Sequence, residues 1–473
     1  MRLSPSSATG IFVACLLASL LLPGLSLASE DTNPPLYEVE EMQERSFSTG
    51  TAFFDDGKLS GNLYYFQRKR MRESLADDRY HNNLDHATFG IGAEFSSGFL
   101  GDVLGVDVGA FTATDLWNSN LPFHELAFFP ARDPWSINWG ARHPDNGASL
   151  HKALVKLRHK EAWGKAGYFQ PTGPGVLGSN WSVYPGTYRG AEAGFSHKGF
   201  SFAAAWADQY KAPWYRDTYH FRRDDKSHVA WLYSLGARYA FEDTVLKGTT
   251  VEVAYGESQK YLQNAHFKIK NQRDVGDGNL TVGYQLYAMD DSHSSGANDN
   301  FDGPATQHFL FAHYTTGPWT VKAEYTYTIA PQSNENNKGY FAYRLIGQYG
   351  GSQGALEPDW NMRSDWNHNR ESAAFLTVSR QFSLFGHKGF EAGVLGSIGW
   401  DGKAYGHSGH LKEWALAFDL IYTVPEGVLQ GTKIKAHYME YRNSSNMPDW
   451  VGFKNAFQDE RDFKLLITVP FST

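Results

Sequence analysis

The sequence predicts an all-β fold, a transmembrane antiparallel β-barrel. Three observations carry this. Apolar and polar residues alternate at period two over several segments. Aromatic residues make up 15% of the chain and Gly occurs 47 times, while long stretches of helix formers are missing. An export leader precedes a mature chain without cysteine.

The leader comes first in the chain. Arg2 supplies a positive start, Ile11 to Leu22 an apolar run, and Ser26-Leu27-Ala28 a small-residue cleavage site. Spanning a bilayer takes about 20 apolar residues, and this run is shorter. Residues 1–28 therefore read as a cleaved signal peptide. Cys15, the only cysteine, lies inside it, so the mature chain holds neither a disulfide nor a thiolate metal site. Residues 29–50 follow as an acidic segment with Glu30, Asp31, Glu38, Glu40, Glu41 and Glu44, expected on the periplasmic side. Residues 51–473 are expected to form the barrel. The net charge of −8 argues against nucleic acid as a partner.

A strand that faces lipid on one side and water on the other must alternate, because successive side chains point to opposite faces. Val229, Trp231, Tyr233, Leu235, Ala237, Tyr239 and Phe241 share one face of segment 229–241, with Ser234, Gly236 and Arg238 on the other. Trp319, Val321, Ala323, Tyr325 and Tyr327 oppose Thr320, Lys322, Glu324, Thr326 and Thr328. Phe89, Ile91, Ala93 and Phe95 form a third stripe, and Trp414, Leu416, Phe418, Leu420 and Tyr422 a fourth. A soluble sandwich or propeller also alternates. Stripes that end in aromatics suit the interface girdles of a membrane barrel, and no blade-length repeat is visible. Phe463, Leu465, Ile467, Val469 and Phe471 give a closing strand, followed by Ser472 and Thr473.

Turn-forming composition predicts loops at 118–147, 171–190, 212–226, 290–305, 332–338 and 350–371. Short turns are expected at Ser97-Gly98, His197-Lys198-Gly199 and His387-Lys388-Gly389.

Inward positions, taken by parity, carry Arg68, Glu94, Lys156, Arg158, Lys165, Glu192, Arg238, Glu252, Lys322, Glu324, Asp419, Lys433, Lys435 and Lys464. A dry core could not hold so many charges, whereas a water-filled lumen can, and rings of charge tune what passes. Each of these residues could brace the wall as a cross-strand pair or touch a solute, and both roles stay open. Catalytic chemistry finds no foothold. The 18 histidines do not cluster at metal-ligand spacing, and no Gly-x-Ser-x-Gly elbow occurs. Asn298-x-Asn300-x-Asp302-Gly303 resembles a calcium loop but has Phe309 where a bidentate Glu is required. No catalytic residue, metal or cofactor is expected.

Specific resemblance begins at Gly167. The run GYFQPTGPGVLGSNWSVYPGTYRGAEAG to Gly194, then YKAPW from Tyr210, resembles the chitoporins of the OprD-type outer-membrane porin family. So do FSSGFLGDVLGVDVGAF from Phe95, RSDWN from Arg363 and FQDERDFKL from Phe457. The likeness runs in order from about Gly57 to Phe471. It implies a single-chain barrel of about 18 strands whose 171–190 loop folds inward and narrows the channel. It further implies small-nutrient passage, with chitooligosaccharides for this branch. The expected partners are outer-membrane lipid, lipopolysaccharide and an oligosaccharide solute, with monomer and trimer both open. Asn180, Trp181, Ser182, Tyr184 and Tyr188 then become candidates for the solute path. Aromatic faces stack on the C–H faces of sugars, and amides bond their hydroxyls; the same rings could instead pack the loop on the wall. The alternatives are a family porin for basic amino acids, peptides or carboxylates and, from other classes, a barrel enzyme or a receptor with a plugged barrel.

Overall fold

The computed structural model describes residues 52–74, 76–119, 128, 146–179, 182–242, 244–293, 299–347, 353–355, 357, 362–445 and 457–472. The expected leader and acidic segment lie outside the described residues. One helical turn, α1 (Ala52–Asp55), precedes the wall. Eighteen strands build that wall. They are β1 (Lys58–Ser74), β2 (Arg79–Ser96), β3 (Leu104–Asn118), β4 (Gly147–His159), β5 (Ala162–Phe169) and β6 (Thr187–His197). Next come β7 (Phe200–Lys211), β8 (Leu232–Ala240), β9 (Thr249–Ser258), β10 (Leu262–Val275), β11 (Gly278–Asp291) and β12 (Ala305–Thr316). The circuit ends with β13 (Trp319–Ile329), β14 (Ser372–Leu384), β15 (His387–Gly402), β16 (Leu411–Thr423), β17 (Lys433–Asn443) and β18 (Glu460–Ser472).

Each wall strand pairs antiparallel with the next. The circuit closes where β18 pairs with β1, from Ser60↔Ser472 to Arg72↔Glu460. Closure matters because lipid offers no partner to an unpaired amide, so an open sheet edge is not viable there.

Exposure follows the alternation. Leu416, Phe418 and Leu420 on β16 are 38%, 47% and 51% exposed, while Ala415 and Ala417 between them are buried. Leu235 and Val253 face out beside buried Ser234 and Glu252. A belt of apolar side chains on the outside of a closed barrel is the surface that a bilayer covers.

Short turns join the strands at one end. Lys198-Gly199 and Phe385-Gly386 are two-residue turns with positive φ at both positions, 45° and 79°, then 50° and 80°. This is the hairpin geometry whose twist matches the strands. The second turn corrects an expectation, because His387, Lys388 and Gly389 already belong to β15. A second correction concerns segment 229–241. Val229 is fully buried in a short hairpin (Tyr219–Arg222 with His228–Val229), and the regular alternation starts only at Leu232. The hairpin folds back on loop residues, so tertiary packing overrides local parity there.

Candidate functional site

The lumen is crossed by two chain segments. The first, between β5 and β6, begins at Gln170, whose side-chain amide donates to the carbonyls of His151 and Gly186 (2.7 and 2.9 Å). The Thr172 and Gly173 amides then donate to the Glu192 carboxylate at 3.0 and 2.8 Å. Lys165 closes the knot, with Nζ 2.8 Å from Glu192 and 2.7 Å from the Gln170 carbonyl. The chain next lies against β8, where the Val176 amide donates to Ser234 Oγ at 2.8 Å. Gly236 permits this approach, since a Cβ there would overlap the Pro174 backbone. On its return the segment reaches β1 to β3. Tyr184 stacks on Phe111 with centroids 4.6 Å apart, and its hydroxyl donates to Asn62 at 2.6 Å.

The second segment joins β13 to β14. Its residues Gln353 and Gly354 pair with Gly178 and Leu177 of the first segment, and the Ala355 amide donates to the Val176 carbonyl at 3.0 Å. Lys268 on β10 holds it through the Ala355 carbonyl and Glu357, at 2.8 and 3.1 Å. Trp366 packs edge-on against Phe375 of β14 and Tyr441 of β17. Arg363 reaches Glu460 of β18 at 2.9 Å and lies 3.6 Å over the Phe457 ring. The first segment thus lines the inner face from β9 back to β1, and the second covers β10 to β18.

The inward charges fall on the face opposite the exposed apolar stripes, and most are in ion pairs. Arg68 donates to Asp462 on the neighbouring strand. Glu94 pairs with Lys152, Lys156 with Asp107, Arg158 with Asp102, and Lys165 with Glu192, at 2.5, 2.8, 3.4 and 2.8 Å. Glu252 takes Arg238 and His266 at 2.7 and 2.8 Å. Glu324 takes His313 at 2.8 Å, with Lys322 buried beside it on the same face. Asp419 takes Lys435 and His437 at 3.1 and 2.6 Å, and Lys433 sits two residues along the same face of β17. At the β1–β18 seam Arg68 pairs with Asp462, Arg70, Arg72 and Arg363 gather on Glu460, and Lys464 lies beside them. That region is net cationic.

The candidate solute-path residues are placed unevenly. Asn180 and Trp181 lie outside the described residues. Ser182 and Tyr184 are on the inward segment. Tyr188 is a correction. It belongs to wall strand β6 rather than to a loop, with no exposure, its ring 4.6 Å from Tyr210 and its hydroxyl on the Gly178 carbonyl at 2.9 Å. Local sequence reads Pro-Gly-Thr-Tyr as loop, but pairing with β7 recruits Thr187 and Tyr188 into the sheet.

A closed barrel with an inward-folded restriction is the geometry of a diffusion channel. A family model described as outer membrane porin, OprD family, matches residues 51–473. The chain belongs to the OprD family. It is therefore an outer-membrane porin. A chitoporin of Escherichia coli (strain K12) is 34% identical over 442 residues, covering 89% of this chain and 92% of that protein. Among solved structures, OccK9 (OpdG) of Pseudomonas aeruginosa matches with a TM-score of 0.73 at 18% identity, over 89% of this chain and 100% of that one. OccAB3 of Acinetobacter baumannii gives 0.72 at 17%, again over 89% and 100%. These distant structures share the fold.

What sequence reasoning missed in this porin is the second inward segment. Segment 350–371 reads as an ordinary loop, yet it forms half of the restriction. A signal was available. Ala415 and Ala417 occupy inward parity on β16 and are at most 2% exposed, packed with Met362 and Trp366 of the second segment. Small apolar residues facing a water-filled lumen mean that something covers them.

Proposed function

We propose that this porin passes chitooligosaccharides by diffusion, without catalysis. The observation that carries this reading is the 34% identity to a chitoporin over nearly the whole of both chains. The geometry agrees with it. Tyr184 of the inward segment and Asn62 of β1 bring an aromatic ring and an amide together, although the Tyr184 ring is itself buried against Phe111. Trp181, three residues earlier, is proposed as the principal stacking surface, because an indole combines apolar area with one N–H donor. The test is single-channel current in planar bilayers with chitohexaose added. Transient blocks are expected, and Trp181→Ala should shorten them, since a lost contact acts mainly on the off-rate. A folded variant with unchanged block times removes Trp181 from the path. Absence of any block by chitohexaose overturns the sugar reading, and release of shorter sugars by the purified protein overturns the non-catalytic one.

The cationic seam of Arg68, Arg70, Arg72, Arg363 and Lys464 favours a second reading, passage of carboxylate-bearing solutes such as amino acids and short peptides. Block by a dicarboxylate but not by chitohexaose would select it.

A further inference from the structure

The fold assembles one side-chain group that the sequence keeps apart. His368 and Glu371 stand three residues apart at the end of the second inward segment, and Glu413 lies on β16. One ligand atom from each lies within 4.8 Å of the others. All three are buried, at 1%, 0% and 1% exposure. Glu371 Oε2 receives the His368 backbone amide at 3.0 Å and lies 2.9 Å from His368 Nδ1. Glu371 Oε1 is buried and meets no donor outside the group, its only polar neighbour being the Glu413 carboxyl among the described residues. Glu413 receives the Ser364 hydroxyl at 2.7 Å and the Tyr441 phenol. Among the described residues no lysine or arginine pairs with either carboxylate.

Two carboxylates this close, sealed from water, repel each other unless a cation lies between them. The available cation is either a proton or a metal ion. An imidazole at the same point favours the metal, because a proton shared by two carboxyls needs no nitrogen ligand. We propose that His368, Glu371 and Glu413 bind one divalent metal ion of the zinc class. A nitrogen plus carboxylate oxygens suits a first-row divalent ion, and zinc commonly takes four ligands, so water can complete the set. Calcium would want six to eight oxygens, more than this group offers. Glu371 Oε1, with no donor from outside the group, is the oxygen aimed into the site.

The metal would do structural work in the channel. Two ligands come from the inward segment and one from the wall, so the ion staples the segment to β16. Trp366 and Arg363 are part of the same stretch, and both face the lumen wall. Tyr441 holds Glu413 from β17 and acts as a positioning residue.

The test uses the full mature chain, extracted from outer membranes in detergent and shown to be folded by its faster migration unheated. Metal content is measured by mass spectrometry, then again after chelation and titration with zinc chloride, with calcium chloride in parallel. One zinc per chain is expected, with no stoichiometric calcium. His368→Gln and Glu413→Gln should abolish stoichiometric zinc. Tyr441→Phe, a gentler change, should weaken zinc by about 10–100-fold. Stripped protein should show noisier current that zinc restores. Folded wild-type protein that binds no zinc overturns the proposal and leaves the shared proton. So does zinc binding that Tyr441→Phe and the ligand variants leave intact, or preference for calcium.

Discussion

Glu192→Ala should release the first inward segment while leaving the barrel closed. Glu192 is 3% exposed and accepts the Thr172 and Gly173 amides while pairing with Lys165. Hydrogen bonds to a charged group contribute about 1.5–3 kcal/mol each, and stranding the partner of a buried ion pair costs about 3–5 kcal/mol. These terms overlap. Lys165 would also keep the Gln170 carbonyl and the Thr172 hydroxyl, at 2.7 and 2.8 Å. The lower figure, about 3 kcal/mol, is the one to use, and it shifts the ratio of anchored to released segment by about a hundredfold. The β5–β6 ladder is made by backbone groups and survives. The assay is single-channel conductance on protein shown to be folded by unheated gel mobility. Larger and noisier conductance is expected, with the double change Lys165→Met/Glu192→Ala less disturbed than Glu192→Ala alone. A folded Glu192→Ala channel with wild-type conductance and noise would refute the idea that this carboxylate anchors the segment.

Leu235→Arg puts a charge on the lipid face and should impair assembly by roughly 2–4 kcal/mol near the bilayer midplane, whereas Lys433→Gln on the inner face should assemble normally; unheated gel migration separates them. Ser234→Arg is not a neutral control, because Ser234 lies beneath Val176 and should displace the inward segment, seen as altered conductance. Tyr184→Phe removes the hydroxyl bond to Asn62 but keeps the stack on Phe111, so about 0.5–1.5 kcal/mol of local anchoring is lost and current flicker should rise modestly. Deleting residues 30–44 should raise open probability, more at low salt where screening is weak, if the acidic segment visits the cationic seam from the periplasmic mouth; unchanged traces would reject that.

The wall was legible in the sequence and the restriction was not, for a physical reason. A strand with lipid on one face and water on the other has no freedom in its pattern, so parity alone placed Arg238, Lys322 and Asp419 on the inner face. The path of an inward segment depends on contacts far apart in the chain. Gly236 against Pro174, and Gly178 against Gln353, leave no local period to read. Family resemblance supplied the first segment as an expectation. The RSDWN motif supported that same resemblance, yet nothing in it announced that Arg363 and Trp366 turn inward. The group of His368, Glu371 and Glu413 is hidden likewise, since its third member comes from another strand and no spacing along the chain brings it near the other two.

The pairing of Leu177 and Gly178 with Gln353 and Gly354 makes the two crossing segments one mechanical object. Two independent flaps would open and shut separately and give four current levels. Flaps sharing a strip of sheet are expected to open together, and single-channel records should then show two levels rather than four. Peeling the strip from either end also loosens the opposite half of the aperture.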